Sequence, residues 1–245
     1  MTHLNPDPFN GVLLVDKPTG PTSHDVVHKI RKAFKIEKVG HGGTLDPNAT
    51  GLLIILLGKG TKFSDMIMGS DKSYTGVMRL GRETSSQDCD GEILAERPFD
   101  HVTRKLVVSE MARLEGDIYQ TPPMVSAVKI EGVPLYKLAR KGQEVERKPR
   151  FVHVYRYELI DWAPPLVTLT VECSKGTYVR TLVHDVGVAL GCGACLDSLR
   201  RTKSGNFSVL NALPLDEALK LTPAGLAAHV IPLAHLINTA RDGKF

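Results

Sequence analysis

Apolar residues fall along this chain in short runs and periodic stretches that alternate between strand-like and helix-like spacing. Gly11-Val12-Leu13-Leu14-Val15-Asp16 reads as a short apolar strand, stopped by Lys17-Pro18-Thr19-Gly20. Ser23 is placed to cap a helix that carries Val26, Val27, Ile30 and Phe34 on one side. A second apolar run over residues 52–57 is closed by Gly58. Residues 74–80 and 166–173 read as strands from their alternation or β-branched content. Residues 177–190 read as a helix, with Val179, Leu182, Val183 and Val186 at helical spacing. Strands and helices are interspersed without a regular βαβ repeat, which predicts an α+β fold. Residues 213–237 are expected to form short helices broken at Pro214, Pro223 and Pro232. No internal repeat or low-complexity linker marks a boundary, so residues 1–245 are expected to form one domain.

Composition narrows the class. A chain of 245 residues with 42% hydrophobic and 24% charged residues has the make-up of an ordinary globular protein. It has no apolar run long enough to span a bilayer, and the N-terminus lacks the pattern of a signal peptide. Four cysteines do not suggest a disulfide framework, and a reducing, cytoplasmic compartment is expected. Cys192-Gly193-Ala194-Cys195 has the spacing of half a zinc site, but no second pair accompanies it, so no metal is expected. The net charge of +4 is unevenly spread. Basic residues gather at residues 28–38, at Lys137, Arg140, Lys141, Arg147, Lys148, Arg150 and Arg156, and at Arg200, Arg201 and Lys203. Such clusters fit a phosphate backbone better than a diffuse surface does.

One segment holds most of the chemistry: Gly40-His41-Gly42-Gly43-Thr44-Leu45-Asp46-Pro47-Asn48-Ala49-Thr50-Gly51. Asp46 is its single carboxylate, set among turn formers. Pro47 fixes its own φ and pushes Asp46 out of the helical region. Such a backbone can hold a carboxylate in one pose and leave room beside it for a flat ligand. A surface Asx turn is the plainer reading for an arbitrary Asp-Pro. The whole run resembles the catalytic loop of the TruB family of tRNA pseudouridine-55 synthases.

The resemblance covers nearly the whole chain in matching order. It takes in residues 11–18, Lys72-Ser73-Tyr74, Asp90-Gly91, residues 122–129, residues 135–140, residues 173–180, and Gly191-Cys192-Gly193-Ala194 with Leu199-Arg200-Arg201. It implies a pseudouridine synthase fold, with a mixed or antiparallel central sheet flanked by helices. It also implies an isomerase that needs no cofactor, since nothing is oxidised and no group comes from outside. Asp46 would be the nucleophile, which must be ionised to act. Burial alone would raise its pKa, so a cation is needed, and the family's pattern places it at Arg180. Tyr74 would stack on a flipped uridine, Tyr178 and Leu199 would line the pocket, and His41 would help fill the gap the base leaves. Lys17 would brace the loop. Away from the motifs, Tyr74 reads equally as a strand aromatic, Leu199 as core and Arg180 as a surface ion pair.

Residues 119–150 match the family's RNA-gripping insertion, with Arg140, Lys141, Arg147 and Lys148 as backbone contacts. The implied partner is the T-arm stem-loop of tRNA, with no membrane and no obligate protein partner, and a monomer is expected. Val125 stands where many members carry an aromatic, Ser85 replaces a frequent acidic residue, and Cys195 stands where a histidine is common. No PUA domain of the kind that ends many bacterial members is expected within residues 1–245. A guide-RNA-dependent catalytic subunit and a non-catalytic RNA-folding factor are the other readings. The Asn48-Ala49-Thr50-Gly51 form of the loop argues against the first, and the presence of Asp46, Tyr74 and Arg180 together argues against the second.

Overall fold

Why the chain folds as it does is clearest at its most apolar run. The computed structural model describes residues 8–241 except 127, 131 and 140. From the N-terminus come β1 (Gly11–Lys17), α1 (Ser23–Phe34), β2 (Val39–His41), β3 (Thr50–Leu57), a 3-10 turn (Gly58–Phe63) and α2 (Ser64–Gly69). Next are β4 (Lys72–Leu80), β5 (Arg82–Thr84), β6 (Ile93–Glu96), α3 (Arg104–Ala112), β7 (Gly116–Gln120), β8 (Lys129–Ile130), β9 (Val133–Pro134) and α4 (Leu135–Ala139). The chain continues through β10 (Arg150–Ala163), β11 (Leu166–Cys173), α5 (Val179–Ala189), β12 (Ala194–Ser204), β13 (Phe207–Ser208) and β14 (Leu213–Pro214). It closes with α6 (Leu215–Lys220), α7 (Pro223–Ala227), β15 (Ile231–Pro232) and α8 (Leu233–Arg241). This is the α+β class expected, a mostly antiparallel sheet with helices beside it. The contacts divide it into two compact units, Met1–Tyr74 with Arg200–Phe245, and Thr75–Leu199.

In the first unit β3 is buried from Gly51 to Leu57 on both faces, which explains its unbroken apolar run. It pairs antiparallel with β1 from Gly11↔Leu57 to Lys17↔Gly51, and parallel with β12 at Thr50↔Arg200 and Gly51↔Arg201. Val12, Leu14, Leu52, Ile54, Leu56, Ile67, Phe207 and Leu236 form its core cluster. Helix α1 buries Val26, Val27, Ile30 and Phe34 as its periodicity predicts. Its cap is Thr22 rather than Ser23: the Thr22 hydroxyl accepts from Asp25 N–H, and the Asp25 carboxylate accepts from Thr22 N–H. The proline-broken tail forms α6, α7 and α8, and the residues before α6 and α8 also add β14 and β15 to β1.

In the second unit the strand order runs β4-β11-β10-β7. The long β10 had no clear period in the sequence. Two register shifts interrupt its alternation, and Phe151, Tyr155 and Ile160 place apolar groups on its exposed side. Residues 121–149 leave the sheet between β7 and β10, whose ends pair at Gln120↔Arg150. Tyr119 and Arg150, read as the limits of the insertion, therefore belong to the sheet. Helix α5 starts two residues later than predicted because Tyr178 is extended, at φ −100° and ψ 106°. The cysteine expectation is corrected here: Cys89 and Cys195, 106 residues apart, form a disulfide, while Cys173 and Cys192 are free and buried. The fold brings together two thiols whose spacing carries no signal. No described helix is long and apolar enough to cross a membrane.

Helix α5 packs so closely that a Cβ on Gly187 would stand 2.1 Å from the Ala194 backbone nitrogen. Overfilling of this kind costs about 1–3 kcal/mol. Gly187→Ala should therefore lower the unfolding free energy by about that amount in denaturant titration, and an unchanged midpoint would show that the helix can move away freely.

Candidate active-site loop and its supports

The loop between β2 and β3 is tied down by side chains that carry positive charge into the interior. Lys17, with no exposed surface, donates from Nζ to the carbonyls of Pro18 (2.9 Å), Pro21 (2.8 Å) and Pro47 (3.0 Å). Pro47 is the neighbour of Asp46, so Lys17 fixes the loop at its chemical end. Arg201, 2% exposed, donates to the carbonyls of Leu52 (2.8 Å), Thr44 (3.2 Å) and Gly43 (3.2 Å). The Ser23 hydroxyl accepts from Leu45 N–H at 2.8 Å and lies 3.1 Å from the Leu45 carbonyl, to which it donates. Sequence reading took Ser23 for a cap and counted Arg201 in a basic cluster, and missed both as supports of this loop. Gly20 N–H adds a bond to the Pro47 carbonyl at 2.9 Å.

Glycine is required where the loop meets these supports. Gly51 has φ +96°, and a Cβ there would lie 2.3 Å from the Arg201 carbonyl oxygen. A Cβ on Gly42 would lie 2.4 Å from Ile67 Cγ2.

Asp46 itself is exposed. Its charge is felt by Lys17 beneath it. His41 is half-buried, and Gly43 N–H points to its Nδ1 at 3.4 Å. Burial lowers the His41 pKa, with the charges of Arg201 and His24 adding to the shift, so the neutral ring is favoured. Tyr74, on β4, is 9% exposed.

In the second unit Arg180 lies at the start of α5, 3% exposed. Its Nη1 donates to Asp88 Oδ2 at 3.0 Å and points to the Ser86 carbonyl at 3.4 Å. It is thus a buried ion pair and not the surface one its helix position suggests. The Tyr178 ring centroid lies 5.8 Å from the guanidinium carbon. Gln120 holds Tyr178 twice, accepting from its N–H at 2.7 Å and donating to its carbonyl at 3.1 Å. Leu199 is half-buried, with Cδ1 against Gly76 of β4. Asp88 and Gln120 drew no notice in the sequence. Asp88 stands two residues before the Asp90-Gly91 motif, with nothing local to mark it.

The basic clusters separate into two kinds. Arg200 grips Asp16 through two bonds, at 2.9 and 2.6 Å, Arg201 is buried and Lys203 is exposed. Within that group Arg201 serves as internal scaffolding, while the Arg200 side chain, 43% exposed, and Lys203 still reach the surface. Lys141 and Lys148 are exposed; Arg147 is half-buried and donates to the Pro122 carbonyl and to Glu144. Arg140 lies outside the described residues.

Comparison with known proteins agrees with the motifs. Residues 31–179 match the family model for TruB family pseudouridylate synthase (N terminal domain). Residues 180–236 match the one for the tRNA pseudouridylate synthase B C-terminal domain. The tRNA pseudouridine synthase B of Opitutus terrae is 50% identical over 225 residues, covering 92% of this chain and 93% of that protein. The one of Pseudomonas aeruginosa is 49% identical over 208 residues, covering 85% and 68%. Among solved structures, a chain of a Cbf5-Nop10-Gar1 complex superposes with a TM-score of 0.72 at 31% identity, over 92% of this chain. A chain of an H/ACA RNP bound to a substrate RNA containing 2'-deoxyuridine gives 0.69 at 28%. This chain spans about three fifths of those two solved chains, 61% and 60%.

Burial lowers the Lys17 pKa from 10.5 to about 8, with Asp46 opposing the shift and Arg201 adding to it. The folded protein therefore holds this proton less tightly than the unfolded chain does. Between about pH 8 and 10.5 the unfolded chain binds more protons, so Lys17 makes stability rise with pH in that window and adds no slope below it. Urea titrations across the window should show the parent protein gaining stability relative to Lys17→Met. Parallel curves would mean that the Lys17 proton is held with ordinary affinity.

Proposed function

The chain belongs to the TruB family of pseudouridylate synthases, and we propose that it isomerises a uridine of tRNA to pseudouridine, at position 55 of the T-arm loop. The observation that carries this reading is the Asp46 loop, an exposed carboxylate on a backbone tied down by Lys17, Arg201 and Ser23. In the reaction the bond from N1 of uracil to the sugar breaks and one from C5 to the sugar forms. The C5 proton leaves and N1 gains one, so atoms balance with no outside reagent. Asp46 acts as the nucleophile. An exposed carboxylate meets a base only if the base is brought out of the RNA stack, at a cost of a few kcal/mol that contacts to the flipped base offset.

The remaining roles follow from the family's motif. Tyr74 stacks on the uracil, Tyr178 and Leu199 line its pocket, and His41, held neutral, occupies space the base leaves. Arg180 supplies the guanidinium that the motif sets against the nucleophile, and its bond to Asp88 fixes its direction. Lys17 is a positioning residue. The likeness to Cbf5 chains favours a second reading, a catalytic subunit that needs a guide RNA. Relatives near 50% identity that are named for tRNA favour the first.

Purified protein and tRNA, with no other component, should give pseudouridine at position 55 in a modification map. Asp46→Asn should abolish that product while tRNA affinity stays within a few-fold. Product from the variant would remove Asp46 from the nucleophile role, and product only with an added guide would favour the second reading. Phosphate contacts make affinity fall steeply with salt. Replacing Arg140, Lys141, Arg147 and Lys148 together by Gln should flatten the plot of log affinity against log salt, and an equal slope would free the insertion from phosphate contact.

A further inference from the structure

The segment from Ser85 to Gly91 carries the carboxylate that meets Arg180, and it is held in an unfavourable shape. Gln87, a non-glycine residue, has φ +65°. Several ties impose that conformation. Cys89 N–H donates to the Leu196 carbonyl and Leu196 N–H to the Gln87 carbonyl, each at 2.9 Å. Thr181 Oγ1 donates to Gln87 Oε1 at 2.7 Å, and Thr84 Oγ1 to the Asp88 carbonyl at 2.7 Å. The one covalent tie among them is the Cys89–Cys195 disulfide, whose first cysteine directly follows Asp88.

We propose that Cys89 and Cys195 are a reversible thiol–disulfide pair that sets how firmly Asp88 holds Arg180, and so tunes the enzyme to its redox surroundings. The functional half of this rests on the reading of Arg180 given above; the chemical half stands alone. Access is asymmetric. Cys195 is fully buried, whereas Cys89 is partly exposed, so exchange enters at the Cys89 sulfur. A dithiol reductant attacks that sulfur as thiolate, forms a mixed disulfide and releases Cys195, which takes up a proton. The second thiol of the reductant then displaces Cys89 and closes the reductant's own disulfide. Two electrons and two protons pass to the protein, and the reverse runs with a low-molecular-mass disulfide as acceptor. Cys173 and Cys192 are buried and stand outside the exchange. Reduction leaves the hydrogen bonds of the segment in place, so the effect is graded. The segment loosens, Asp88 dwells less on Arg180, and the guanidinium loses its fixed direction.

The test uses the full chain, oxidised with glutathione disulfide or reduced with dithiothreitol and then freed of reagent. Thiol titration should count two thiols after oxidation and four after reduction; four in both would overturn the pair. Hydrogen exchange of residues 85–91 and of the first turn of α5 should be slower in the oxidised protein, and equal exchange would overturn the coupling whatever the activity. On tRNA, kcat should be several-fold higher for the oxidised form with KM nearly unchanged. That difference should vanish in Cys89→Ala with Cys195→Ala, and shrink in Asp88→Asn. A redox effect on kcat that persists undiminished in Asp88→Asn would show that the disulfide acts by another route. Inactivity of both forms towards tRNA would sink the functional reading, while thiol count and exchange would still decide the switch.

Discussion

A charge removed from water must find its hydrogen-bond partners inside the protein, and around Asp46 those partners are backbone carbonyls. Lys17 takes the carbonyls of Pro18, Pro21 and Pro47 and Arg201 those of Gly43, Thr44 and Leu52, so together they fasten the loop at Gly43, Thr44 and Pro47 and the start of β3 at Leu52. The cost of burying two cations close enough to repel each other is offset only if those carbonyls stay where they are. The same requirement that satisfies the cations therefore makes the loop rigid. Gly51 completes the constraint from the other side, because any side chain there would collide with the Arg201 backbone. Pose at Asp46 is thus a consequence of how positive charge is buried beneath it.

Arg180 solves the same problem by another route. Its partner is a carboxylate, Asp88, with the Ser86 carbonyl nearby and the Tyr178 ring within cation–π range. A carbonyl cage has no titratable member, whereas an ion pair depends on the position and charge of a residue on a separate segment. The two arrangements differ in how they can be adjusted. The Lys17 and Arg201 cage changes when the loop unfolds or Lys17 gives up its proton, whereas the Arg180 pair can be altered by anything that moves residues 85–91.

Local pattern carried much of the fold. The runs that became β1, β3, β4 and β11 and the helices α1 and α5 are legible because their apolar spacing matches one period over enough residues. Strand β10 escaped because its register shifts break the period, and β14 and β15 because two residues carry none. At the site, Asp46 was legible from the density of turn formers around it. Ser23, Asp88 and Gln120 were not, since each acts on a residue far along the chain: Leu45, Arg180 and Tyr178. The Cys89–Cys195 bond was hidden for the same reason.

Basic residues show the limit of charge as a sequence signal. Arg200 and Arg201 sit side by side in what reads as a patch for phosphate, yet one is committed to Asp16 and the other to carbonyls of the Asp46 loop. Alternation explains the error. Neighbours on a strand point to opposite faces, so two adjacent arginines on β12 cannot both belong to one surface. Adjacent cations at residues 28–38 escape this constraint, because α1 places its apolar positions on one face and leaves Arg31 and Lys32 exposed together. A basic cluster on a helix can therefore stay a cluster in space, whereas one on a buried strand is divided by the pleat. Among the described residues of these clusters, exposed positive charge stays on α1 and its C-terminal end, on the lysines of the insertion, and at Arg150, Arg156 and Lys203.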